Sequence, residues 1–320
     1  MKQIPPLTVV GLLLCLATGL DAHQGERLFP IVELTDADLE AIDLHDGTVD
    51  DWLTVVGEPT VTALDFFAQT NLEPYDPADM DFRIWLAWHD GTDRLYAAME
   101  QVDDIYVNNF DRNSGNFEFM WHQDSAIRLE LDGDHSGGAF NTFPCCNSDE
   151  PAQAFEFARQ AQPYNAIGQT VGDDPHVAID VLQNLNPPAY EFGDWYTRPP
   201  YAEGGGGRFG ENPVISVTEF YVTPFDHMVW SSQEESRASE LSLGRTIGFR
   251  LTAIDRDNKD EFINAWFTLP SNEGLTPDQN RSSDFFADGL LLGPGGALPK
   301  EEDDTAVEGL SWGRIKASFY

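Results

Sequence analysis

Acidic residues at the ends of apolar runs are the first features of this chain whose type and spacing suggest chemistry. Asp103-Asp104 closes the run at 95–102, and Asp255-Arg256-Asp257 closes the run at 246–254. Carboxylates that meet in space repel one another, and a shared hard cation relieves that repulsion. Asp132-Gly133-Asp134-His135-Ser136-Gly137 places oxygen donors at alternate positions around a turning glycine, like the first half of a calcium loop. The bidentate Glu of an EF-hand would fall at Phe143, so a looser loop at a strand end is expected instead. Calcium is thus the expected cofactor, with Asp103, Asp104, Asp132, Asp134, Asp255 and Asp257 as its candidate ligands.

A second constellation is aromatic. Trp195, Tyr196 and Tyr201 lie close together with Arg198, and Trp121 stands in another loop-like stretch. Flat rings stack on the C–H faces of sugars while polar neighbours bond the hydroxyls, so these five are the candidate carbohydrate-binding residues. Catalytic signatures are missing: there is no G-x-S-x-G, H-E-x-x-H or S-x-x-K. Carboxylate pairs suited to glycoside hydrolysis are easy to find among 55 acids and therefore carry little weight. The run 205–210 formally matches G-x-G-x-x-G, but Pro199-Pro200 before it and Pro213 after it exclude the strand–turn–helix that a dinucleotide site needs. A flexible surface loop is expected there.

The elements that must position these residues read as strands. Phe82, Ile84, Leu86 and Trp88 alternate with Arg83, Trp85 and Ala87, and a His89-Asp90-Gly91-Thr92-Asp93 turn leads into Leu95, Ala97 and Met99. Ile127, Leu129 and Leu131 alternate likewise, and further runs lie at 214–222, 246–254, 262–269 and 315–319. The clearest helix start is Thr35-Asp36-Ala37-Asp38. The fold class is all-β, an antiparallel, jelly-roll-like β-sandwich. The stretch 136–212, with weak patterning, Cys145-Cys146 and several Pro pairs, is expected to be a long irregular insertion in one domain spanning 45–320.

Composition limits the partners. The net charge of −37 repels phosphate backbones and anionic lipid, which excludes nucleic acid and membrane surfaces and disfavours polyanionic glycans. Lys2 followed by the apolar run 7–20 reads as an export signal over 1–22, ahead of a lead-in at 23–44. The mature protein is expected to be secreted. Cys145 and Cys146 are adjacent, which leaves a strained vicinal disulfide, free thiols or a link to another chain.

The order of segments resembles a known family. The run 45–52 (His-Asp-Gly-Thr-Val-Asp-Asp-Trp) comes first, then Ile84-Trp85-Leu86-Ala87-Trp88 and Leu95-Tyr96-Ala97-Ala98 leading to Val102-Asp103-Asp104. The run 124–132, Ile247-Gly248-Phe249-Arg250 and Trp312-Gly313-Arg314-Ile315 follow. Together they resemble the family 9 carbohydrate-binding module, a DOMON-like β-sandwich, over about 45–135 and 213–320. The resemblance implies structural calcium and a sugar held between aromatic rings, with a neutral or weakly charged oligosaccharide or polysaccharide as partner. The competing functional classes are a structural or protein-interaction sandwich at the cell surface and, third, a glycoside hydrolase.

Overall fold

The computed structural model describes residues 27–110, 123–140, 159–168, 176–183, 195–229, 231–258, 263–276 and 279–298. The export segment, Trp121, Cys145-Cys146 and the runs at 312–319 lie outside the described residues.

β4 (Met80–His89) and β5 (Arg94–Asp103) form the hairpin that the alternation predicts, turning at Asp90–Thr92 with Asp93 at φ +51. β10 (Val214–Val222) pairs antiparallel with β5. On the other side of the core, β6 (Ile127–Asp132) pairs antiparallel with β13 (Thr246–Asp255). β14 (Ala265–Leu269) and the two-residue β3 (Phe67–Ala68) continue outward from β13, and β2 (Val61–Thr62) pairs with β4.

Three strands come from the stretch expected to be irregular. β7 (Gln162–Gly168), β8 (His176–Gln183) and β9 (Ala202–Phe209) run antiparallel in succession from β6 to β10 and join the two sides. The surface-loop reading of the glycine run is therefore overturned, because Gly204 to Gly207 form the middle of β9 and pair with β10. Glycine has low strand propensity, so composition pointed to a loop. Within a strand, glycine marks the close approach of another backbone. Here a Cβ on Gly205 would lie 2.2 Å from the Leu44 carbonyl oxygen, and one on Gly207 would lie 2.8 Å from the Gly47 Cα.

The expected lead-in also supplies a strand. β1 (Leu28–Glu33) lies parallel to β15 (Ala287–Leu292) and, from Val32 onward, parallel to β4. Pro30, which lacks an N–H, precedes the β4 pairing and so disrupts no bond on that edge. β15 also pairs with the first part of β13, so the strand path closes on itself. β11 (Phe225–His227) and β12 (Arg237–Ala238) form a separate ribbon.

The closed path is flattened around one main core. Ile84, Leu86, Leu95, Ile127, Leu129 and Phe249 are all fully buried in it. Phe29 meets Phe249 edge-on at 5.6 Å across this core. Each such side chain stabilises the fold by about 1.5–3 kcal/mol through removal from water. Trp88 is also in this core, and its indole donates to the Leu292 carbonyl at 2.8 Å. Trp266 is only half-buried.

A second apolar layer covers the outer face of β4, β5 and β10. α1 (Asp36–Ala41) and α2 (Asp50–Val55) bring Leu34, Val49 and Trp52 onto Trp85, Tyr96, Val217 and Tyr221. α1 starts at the expected capping box: Asp38 N–H donates to the Thr35 hydroxyl at 3.2 Å, and Thr35 N–H donates to the Asp38 carboxylate at 2.8 Å.

Candidate functional site: a buried carboxylate cluster and an aromatic surface

The hairpin register sets Met80 opposite Asp103, and the β6–β13 register sets Ile127 opposite Ala253. Asp79, Asp103, Asp124 and Asp255 therefore stand at strand ends on one pole of the sandwich, two from each side of the core. One oxygen from each of Asp103, Asp124 and Asp255 lies within 4.8 Å of the others, and all three residues are buried. Asp103, Asp104 and Asp257 form a second such group, and Glu73, Asp79 and Asp257 a third.

Local structure holds each carboxylate in place. Asp103 accepts from Ile105 N–H at 2.9 Å and from the Gln101 amide at 2.8 Å. Asp124 accepts from Val107 N–H at 2.5 Å and Arg256 N–H at 3.0 Å. The next residue, Ser125, takes a left-handed φ of +61, and its N–H donates to Gln101 at 2.8 Å. Asp255 differs: it is 1% exposed, no N–H or hydroxyl donates to either carboxylate oxygen among the described residues, and its side chain lies within hydrogen-bond reach of the Asp79 carboxylate. One oxygen of Asp104 likewise has no such donor among these residues.

The electrostatics follow from this crowding. Burial first, then the charges of Asp257 and Asp104, push Asp103 up to about 7. Burial, with Asp103 and Asp79 adding, pushes Asp255 up to about 8. Asp124 rises well above the carboxylate range, through burial and then Asp103. An all-oxygen, acid-rich group of this kind matches the donor set of a hard divalent cation.

Of the six acids singled out as calcium ligands, the structure brings Asp103, Asp104, Asp255 and Asp257 together. Asp132 and Asp134 stand at the far end of β6, about 20 Å away along the strand. Asp132 instead accepts from the Gly137 N–H at 2.8 Å and the Ser136 N–H at 3.2 Å, closing its own turn. Asx turns and calcium loops both use Asp and Gly in this way. Sequence reasoning missed Glu73, Asp79 and Asp124. Asp79 and Asp124 precede β4 and β6 and so fall outside the pattern of acids that follow strands; the run 124–132 is the one signal that contains Asp124.

The aromatic residues also converge, but edge-on. The Trp195 ring meets Tyr196 at 5.4 Å, Tyr201 at 4.9 Å and Phe225 at 5.5 Å, with interplanar angles of 81–88°. Tyr196 is buried, whereas Trp195 and Tyr201 are half-buried and Arg198 is exposed. Gln233 donates to the Tyr201 hydroxyl at 2.6 Å. The group is anchored by Tyr196 and Phe225 and presents Trp195, Arg198 and Tyr201 outward.

No protein-family model matches the chain. No curated protein matches it either. Solved structures that it is similar to include a family 9 carbohydrate-binding module from Caldicellulosiruptor kristjanssonii in complex with cellotriose. The identity is 11%, the match covers 88% of this chain and 99% of that one, and the TM-score is 0.46. A family 9 module from the same organism in complex with glucose is similar at 13% identity, with 88% and 100% covered and a TM-score of 0.44. No helix among the described residues is long and apolar enough to cross a membrane.

Proposed function

We propose that the protein is an exported, non-catalytic saccharide-binding sandwich whose strand ends are tied together by calcium. The observation that carries the binding reading is the Trp195 surface: a half-buried indole fixed by three rings, with Arg198 and the Tyr201 hydroxyl beside it. A rigid ring with neighbouring hydrogen-bond groups is the chemistry that orients a sugar.

The buried cluster supports the calcium reading. Asp103, Asp104, Asp124, Asp255 and Asp257 would hold the ion, and it would give the Asp255 oxygens a cationic partner. The ion would supply positive charge to a group whose members otherwise raise one another's pKa. Because Asp103, Asp124 and Asp255 are buried, the arrangement suits ligation better than acid–base attack on a glycosidic bond. A glycan-array screen of the mature protein, with and without calcium, tests the proposal. Calcium-supported binding of neutral glycans is expected. No binding to any saccharide with calcium present favours the interaction-protein class.

A further inference from the structure

β3 is the last strand of the sheet path, paired to β14 on one edge only. Beside it lies a groove of about 370 Å³ lined by residues 67–71 and 271–275 together with Asn280 and Arg281. From this arrangement the geometry points to a second saccharide site, distinct from the Trp195 surface, that takes a neutral, hydroxyl-rich ligand. The class of ligand rests on the saccharide-binding reading above; the location does not.

Charge is the first argument. The chain carries 55 acids against 18 bases. Among the twelve residues lining the groove, however, only Glu273 and Arg281 are charged, and they cancel. A lining with no net charge offers no local carboxylate cluster to select a cation, and its amides and hydroxyls recognise a ligand by hydrogen bonding. The remaining polar side chains are amides and hydroxyls: Gln69, Thr70, Asn71, Ser271, Asn272 and Asn280. An amide offers a donor and an acceptor in one plane, which matches neighbouring hydroxyls on a sugar ring.

The second argument is the ring. Phe67 is 47% exposed at the edge of the groove, a large apolar face left in water beside hydrogen-bonding groups. That pairing of one stacking face with several amides is the mixed lining that small-molecule sites use.

The third is rigidity. The Thr70 hydroxyl donates to the Glu273 carboxylate at 3.2 Å, linking residues 70 and 273 of the lining. Arg250 donates to the side-chain oxygen of Asn280 at 2.8 Å and to its carbonyl at 2.7 Å, which fixes Asn280 in the lining. Taking that side-chain oxygen turns the donor half of the Asn280 amide toward other partners. Arg250 is itself buried and pairs with Glu130, so the groove wall is anchored from the sheet. An added peptide strand is a poorer occupant, since β3 offers only two residues as a template.

Titration of the mature protein, with calcium present, by cellotriose, mannotriose and xylotriose, and by a galacturonic acid trimer as the anionic contrast, tests the site. In Trp195→Ala, binding of at least one neutral trisaccharide is expected to persist, and adding Phe67→Ala is expected to weaken it about tenfold, the loss of one stacking contact. Asn272→Ala is expected to act in the same direction with an unchanged melting temperature, which covers the case where the Phe67 variant folds poorly. If Phe67→Ala and Asn272→Ala both titrate like wild type while Trp195→Ala abolishes binding, the groove proposal fails and the Trp195 surface stands. If no neutral trisaccharide binds the wild type, both fail. Preference for the anionic trimer overturns the argument from charge.

Discussion

Trp52 and Glu219, 167 positions apart, meet at 2.7 Å: the indole N–H of α2 donates to one carboxylate oxygen at the centre of β10. Glu219 is fully buried, and its other oxygen has no hydrogen-bond partner among the described residues. Burial first, with Asp51, Asp46 and Asp43 adding repulsion, pushes Glu219 up to about 9; the Trp52 bond lowers it only in part. At neutral pH the side chain is a neutral acid beneath an acidic loop.

This sets a pH dependence. The folded pKa of Glu219 lies above its ordinary value of 4.5, so its contribution is fully present below pH 4.5 and is lost as pH rises toward 9. Across that window the group alone should cost about 1.4 kcal/mol per pH unit. Glu219→Gln, a neutral isostere, should lack that component. The check is denaturant unfolding of both proteins at several pH values: the stability difference between them should grow in favour of the variant as pH rises. A difference that is flat with pH would show that Glu219 titrates normally.

Calcium should stabilise the protein through the buried cluster. A ligand bound only by the native state adds about 2.7 kcal/mol at a hundredfold excess over Kd. Asp255, pushed up to about 8, is mostly neutral at pH 7 without calcium, so Asp255→Asn should leave the calcium-free melting temperature close to that of the wild type, while the rise on adding calcium should shrink or vanish. An undiminished calcium response in Asp255→Asn would place the ion elsewhere.

Trp195→Ala separates platform from packing. As a platform, it should lose saccharide affinity by about tenfold or more with little change in melting temperature. If its contacts with Tyr196, Tyr201 and Phe225 are all that matter, stability should instead fall by about 3–5 kcal/mol. Calorimetry and a binding titration on the same preparation read both.

Gly205→Ala tests β9. In a surface loop the substitution would be near neutral. In the strand seen here the new methyl meets the Leu44 carbonyl oxygen and the His45 ring, so a loss of about 1–3 kcal/mol or more is expected by urea unfolding.

Much of the fold was legible in local pattern. The alternation of Ile84, Leu86 and Trp88, the turn at Asp90–Thr92 and the Thr35 capping box depend on contacts a few residues apart or on the two-residue period of a strand, and both are written in the sequence. The strand-end aspartates were visible for the same reason, since an acid that ends an apolar run marks where the chain leaves the core.

What only the tertiary structure decided was partnership. Asp124 and Asp79 could not be told from ordinary turn acids until the two sides of the sandwich set them beside Asp255 and Asp103. Asp132 could not be separated from them until its oxygens were seen to close their own turn. The glycine run at 204–207 gave no strand signal, because its place in the sheet depends on pairing with β10 and on the Leu44–Gly47 backbone lying against it, both remote in sequence. A glycine has no side chain through which a sequence can announce such contacts, and the charge on a carboxylate does not say which other carboxylates it will meet. Composition and periodicity determined the class of fold and the kinds of chemistry within reach. The long-range register determined which of those groups stand together.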